Sequence, residues 1–184
     1  MKHPSNREFF AYWDRVRADE AAPDRSSLAP EAVRHLLGDI FVLSYEPEGY
    51  PFRVAGTRIC ALLGGDMKGR DFTSLFSGDS CREIKDILGI VAEETLATVA
   101  GVNAATASGE IAHLELLLLP FSNRAHTPLS LTGLLAPFEQ HRGGMLPGLT
   151  LTSWRHIGHE RRRGPRAVRK WTIVRGLTVY EGLR

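Results

Sequence analysis

The chain of 184 residues carries a formal charge of only +2 with 43% hydrophobic residues, which suits one globular domain with a real core and by itself names no partner. Its two cysteines, Cys60 and Cys81, share no metal spacing and exclude a disulfide framework. The opening MKHPSNREFFAYWDRVRADE has no apolar segment of a secretory signal, and the longest apolar run, LELLLLPF, is far too short to span a bilayer, so the expected setting is cytoplasmic.

From Ser5 to Asp19, Phe9, Tyr12, Trp13 and Val16 recur at helical spacing among charged residues. Ser5 and Glu8 have the spacing of a capping box. The aromatic stripe of this amphipathic helix must be covered, either by its own sheet or by the same helix of a second subunit, so these four residues are the interface candidates. AAPDRSSLAP breaks the pattern with two prolines, and PEAVRHLL reads as a second helix opened by Pro30 and closed by Gly38. DIFVLSYE and FRVAG are strands around the turn PEGYP, a predicted hairpin.

In FRVAGTRICALLGGDMKGRDF the glycines have structural work to do. Gly56 ends a strand, Thr57 is placed to cap a short helix, Gly64 and Gly65 close it, and Asp71 can open another short helical piece. The spacing is neither GxxxxGK[ST] nor GxGxxG, so a phosphate loop is disfavoured. Cys60, on the apolar side of the short helix, reads as a buried inert thiol. On the strand, Phe52 and Val54 share one face and Arg53 the other. With Phe52 and Val54 facing the helices, Arg53 lies outside and pairs with an acid or with the N-terminal helix; with the reverse register it enters the pocket and holds a carboxylate or phosphate.

Asp79 to about Leu96 predicts a longer helix with Ile84, Ile87, Leu88 and Val91 on one face. ATVAGVNAATAS is small and β-tolerant. HLELLLLPF reads as a central strand, and LSLTGLLAPFE and LTLTSWRHIG as further strands. Strands that follow one another after a group of helices predict an α+β fold with an antiparallel sheet of about five strands, a helical cluster on one face and the amphipathic helix in front. From Glu160 on, seven arginines and one lysine stand against two glutamates, a tail of +6 that leaves −4 for the rest. HERRRGPRAVR reads as a solvated linker, but Trp171, Ile173, Val174, Val179 and Tyr180 are strand formers around Arg175-Gly176, so the chain is expected to end in a strand or hairpin on an edge of this sheet or a partner's. The expected division is a helical flank over 1–36, the domain over 37–158 and a basic extension over 159–184.

The order of elements is that of a PAS domain, and shorter motifs narrow the resemblance to a stand-alone bacterial PAS-like family (PAS_5). They are Tyr12-Trp13 with Val16-Arg17, then Pro23, Arg25, Leu28 and Pro30, then VRHLLGDIFVLSYE, FRVAGTRICALLGGDMKGRDF and LELLLLP, over roughly residues 9 to 137. Gly65 departs from the pattern. The resemblance implies a sensory or protein-interaction module of bacterial signalling, non-enzymatic, that binds a small ligand between sheet and helices or binds none. Strand alternation and the short helices nominate Phe41, Phe52, Arg53, Val54, Cys60, Phe72, Phe76, Leu88, Leu116 and Leu118 for that pocket. Haem is disfavoured because the long helix has no histidine. Flavin is disfavoured because TRICALLGG around Cys60 is unlike the photosensor motif, and the cofactor is left unknown.

Catalytic patterns do not emerge. GxSxG and HExxH are missing. Glu93-Glu94 and the Glu110/Glu115 pair are read as solvent-facing, and His156-x-x-His159 lacks a third metal ligand. Two other classes are kept: a small cone-shaped α+β enzyme, which needs an Asp or His facing a deep pocket, and a nucleic-acid binder using the basic tail, which is disfavoured. The expected partner is a protein or a small molecule, with a homodimer as one form.

Overall fold

The computed structural model describes residues 1–106, 109–123, 129–139, 146 and 148–158, and the backbone of 168–174 and 177–182. Helix α1 (Pro4–Arg17) begins one residue before its expected cap. His3 is the N-cap, its Nδ1 accepting from the Ser5 N–H at 3.2 Å, and Pro4 fits a first turn where no N–H donor is needed. Glu8 does not close a capping box; its carboxylate lies 2.9 Å from His35 Nε2. PEAVRHLL is not an α-helix. Pro30–Val33 is a 3-10 turn, continued by i→i+3 bonds such as Leu36 N–H to Val33 O at 2.8 Å. The tighter winding stacks residues three apart, which puts Val33 and Leu36 together on the sheet.

Strands β1 (Ile40–Ser44) and β2 (Phe52–Ala55) form the expected hairpin and lead into α2 (Thr57–Leu63), a 3-10 turn over Phe72–Leu75, and α3 (Asp79–Glu94). Then follow β3 (Ala97–Ala105), β4 (Ile111–Pro120), β5 (Ser130–Pro137) and β6 (Thr150–Ile157). Among the described residues these six strands make one antiparallel sheet in the order β2-β1-β5-β4-β3-β6. The small residues of ATVAGVNAA turn out to be a long interior strand, since their lack of bulk suits burial on both faces.

The GT of FRVAGTR is punctuation of this fold. Gly56, not Thr57, is the N-cap of α2. A Cβ on Gly56 would stand 2.1 Å from the Leu37 carbonyl oxygen, so only glycine lets the chain before α2 cross the turn before β1. Arg58 ties the same crossing, its Nε and Nη2 each 2.7 Å from an oxygen of Asp39.

Two apolar layers sandwich the sheet. The inner layer holds Phe41, Leu43, Phe52, Phe72, the α3 face Ile84, Ile87, Leu88 and Val91, and Leu114, Leu116 and Leu118 of β4. The outer layer sets Phe9 and Trp13 of α1, with Val33 and Leu36, against Leu117, Leu119 and Leu134. β4 alternates between them, which explains its unbroken apolar run. Gly133 on β5 faces Phe41 across the ladder, and the aromatic ring lies over it. At the C-terminal end β7 (Val168–Val174) pairs with β8 (Leu177–Gly182) in a two-stranded sheet of its own and, among the described residues, with no edge of the larger one. The expected linker ran over 159–169; residues 159–167 and the turn residues Arg175-Gly176 lie outside the described residues, and Val168 and Arg169 belong to β7 rather than to a linker.

Candidate functional site

Phe41, Phe52, Phe72, Phe76, Leu88, Leu116 and Leu118 sit together in the inner layer, each at most 5% exposed. The rings interlock: Phe72 stacks on Phe41 at 5.1 Å between centroids and meets Phe52 edge-on at 5.5 Å, geometries that aromatic quadrupoles favour. Cys60 is half-buried at the rim of this layer, its Sγ 3.9 Å from the Ala55 carbonyl. Tyr50 lines the same layer; burial first, then the anionic neighbours Glu93, Asp86 and Asp71 with Tyr45, push its hydroxyl up to about 12.

Val54 and Arg53 do not belong to that pocket. The β1–β2 ladder pairs Leu43 with Phe52 but Val42 with Val54, leaving Arg53 as the extra residue of a bulge. The strict alternation expected of FRVAG is broken there, so Phe52 points inward while Val54 is 51% exposed. Arg53 lies at the outer face, and among the described residues no acid pairs with it, contrary to the salt bridge expected.

The stripe of α1 meets its own sheet. Phe9 and Trp13 are buried, and Trp13 Nε1 donates to the Pro120 carbonyl at 3.0 Å. Tyr12 is half-buried; its hydroxyl accepts from the Ala29 N–H at 2.7 Å and faces the Ala29 carbonyl at 3.2 Å. Val16 is half-buried. Phe9 and Trp13 thus pack on the chain's own sheet.

Glu115 was missed. It is 5% exposed rather than solvent-facing, at an outward position of β4 beneath Asn6 of α1 and the residues that precede the helix. Its carboxylate accepts the Lys2 N–H at 2.6 Å, the His3 N–H at 2.8 Å and Asn6 Nδ2 at 3.1 Å. Burial works to raise its pKa, but these donors outweigh it and hold the carboxyl below the ordinary range. The only signal in the sequence was an acid standing alone inside an apolar run. His156 is engaged with Thr98, Nδ1 to Oγ1 2.7 Å, and His159 lies outside the described residues; among those described no three His, Cys, Asp or Glu side chains group as metal ligands.

Two clefts stand out among the described residues, and both open on the outer face of the sheet. One, of about 470 Å³, runs over β3, β4 and β6 beside Lys2 and is lined by Gly101, His113, Phe138 and Arg155. The other, of about 430 Å³, lies where β1, β2 and β5 end. Ser44, Arg53 and Ser130 form its floor, and Arg25, Ser26, Phe121 and Ser122 close over it. Its frame is fixed by backbone bonds: Ser122 N–H to Pro23 O at 2.9 Å, Tyr45 N–H to Leu129 O at 2.9 Å and Ser44 N–H to Pro51 O at 3.0 Å.

Residues 1–136 match the PAS domain family. A search among curated proteins finds no match. Solved structures similar to this chain include a light-oxygen-voltage domain reported with a flavin analogue (12% identity, 60% of this chain and 84% of that one, TM-score 0.47). Others are the dark structure of the blue-light photoreceptor Aureochrome1 LOV domain (11%, 60% and 82%, TM-score 0.46) and the Rhodobacter sphaeroides LOV protein (14%, 72% and 70%, TM-score 0.45). This likeness overturns the expectation that flavin is disfavoured, which is withdrawn without flavin being assigned to this chain. The expectation rested on a short motif around one cysteine, and at such identities the surroundings of a single residue are a poor guide to what a fold holds. Among the described residues no helix is long and apolar enough to cross a membrane.

Proposed function

This chain belongs to the PAS domain family, and from that premise we propose that it is a non-enzymatic sensory or protein-interaction module of bacterial signalling, working in the cytoplasm. The observation that carries the reading is the unequal treatment of the two sheet faces. The inner face is sealed by interlocked side chains at most 5% exposed, whereas the outer face is only partly covered by α1 and bears both clefts. Recognition surfaces of this kind suit a module that reports through contacts. The one buried charged residue among those described, Glu115, is held as a carboxylate by N–H donors, and these bonds fasten the N-terminal segment to the sheet.

Residues 37–158 are taken as the sensing unit, 1–36 as its cover and 159–184 as an extension. A ligand between sheet and helices belongs to the same proposal: it would enter by parting Phe72 from Phe41 and Phe52. Native mass spectrometry of the purified chain tests the reading, since it reports bound molecules and subunit count together. A small-molecule adduct lost on denaturation, or a stable dimer, supports it. A bare monomer whose melting temperature no member of a metabolite library moves would refute it.

A further inference from the structure

We propose that the cleft between β1, β2, β5 and the Asp24–Ser27 turn is a binding site for a small carboxylate with an apolar body, a ligand class that deepens the sensory reading and rests on it. Arg25 and Arg53 bring two guanidinium groups to one cavity of about 430 Å³, within the range of small-ligand sites. Among the described residues neither guanidinium has an acid partner or a hydrogen bond. Asp24, the one acid of the lining, is already engaged, its Oδ1 accepting from the Ser26 N–H at 2.8 Å and from the Ser26 hydroxyl.

The floor supplies what the rim does not. Ser44 and Ser130 face each other across the β1–β5 ladder, and Ser44 is only 3% exposed. Among the described residues neither hydroxyl has a hydrogen-bond partner, and neither oxygen is sealed from the cleft, so both are free to bond a guest there. Arginine's planar fork matches a carboxylate with two parallel bonds, and the serines can donate to the same oxygens. Phe121, 5% exposed, and Leu129 provide an apolar wall for the rest of the molecule. The described lining nets +1, from two arginines and one aspartate, which suits a monoanion better than a phosphate dianion. Arg53 is the extra residue of the β2 bulge, so no β1 residue stands opposite it in the ladder.

Amide chemical-shift titration of the full chain with benzoate, acetate and inorganic phosphate tests the site. Benzoate is expected to move the amides of Ser44, Arg53, Ser122 and Ser130 and to bind more tightly than acetate, which lacks the apolar body, or phosphate. Arg53→Gln and Arg25→Gln should each weaken benzoate by about tenfold or more, the loss of a charge-assisted bond. Both side chains are exposed, so both variants should keep the wild-type spectrum elsewhere, and Arg82→Gln on α3, 83% exposed and outside the cleft, should leave the affinity unchanged. Equal affinity in Arg53→Gln, shifts confined to the inner layer, or no response to benzoate would overturn the proposal; tighter binding of phosphate would reassign the cleft to phosphate-bearing ligands and overturn it as stated. If a neutral molecule is found by native mass spectrometry while no carboxylate titrates, this site falls and the sensory reading stands.

Discussion

Replacing Glu115 with alanine removes an acceptor shared by three donors, and the structure sets the size of the effect. The Lys2 and His3 N–H groups lie near the surface and can turn to water, so their loss is largely compensated. Asn6 cannot: it is fully buried, and without the carboxylate its amide keeps only the Glu115 carbonyl at 3.1 Å, while its Oδ1 already lacks a partner. One poorly satisfied buried amide plus a lost charge-assisted bond costs about 2 kcal/mol. For a chain of this length that lowers Tm by about 4–8 °C. Glu115→Gln keeps one acceptor oxygen and should lose about half as much. The pH dependence has a definite sign. Because the folded carboxyl sits below its ordinary 4.5, its contribution is complete above that value and fades as the pH falls through the folded pKa. Thermal unfolding followed by circular dichroism from neutral pH down to pH 3 should therefore show wild type and Glu115→Gln converging in acid. An unchanged Tm for Glu115→Ala, or a gap to Glu115→Gln that widens as the pH falls, would refute the reasoning.

Phe72→Ala opens a cavity among three rings and should cost about 4 kcal/mol, a Tm loss of about 8–16 °C; an unchanged melting temperature would dismiss the inner layer as the core. Trp13→Phe keeps most of the volume but loses the bond to Pro120, and should cost about 1 kcal/mol by denaturant titration, against about 3–5 kcal/mol for Trp13→Ala; equal losses would mean that the indole is not buried against the sheet. Gly56→Ala forces a Cβ against a backbone oxygen and should abolish or severely weaken folding, which expression and circular dichroism report. Amides of β7 and β8 should exchange faster than those of β4, because a two-stranded sheet is marginal alone; equal protection would show that another surface covers the hairpin.

The parts of the fold legible in the sequence are those written in long, regular repeats. The face of α3 needs only the 3.6-residue spacing of Ile84, Ile87, Leu88 and Val91, and β4 needs only an apolar run bounded by a turn. Features decided by a single residue's surroundings were not legible. Nothing in FRVA marks the bulge that sends Val54 outward, since no glycine or proline sits there. PEAVRHLL has the composition of a helix, and what winds it into 3-10 turns is the need to set Val33 and Leu36 on the same patch of sheet. The role of Glu115 depends on backbone N–H groups more than a hundred residues away, which no local pattern records. The candidate cleft escaped for the same reason: its serines and arginines come from five separate stretches of chain.

The ring of Phe41 lying over Gly133 bears on how this sequence can drift over generations. A Cβ at position 133 would stand 2.3 Å from the ring's Cζ, but also 2.7 Å from the Leu117 carbonyl oxygen. A smaller residue at position 41 would remove the first obstacle and not the second, because the second is backbone. Position 133 is therefore frozen independently of its aromatic neighbour, while position 41 is free to change as long as something fills the space above a bare strand. Two residues in contact thus face opposite histories: descendants of this chain can trade the phenylalanine, and none can trade the glycine without moving β4.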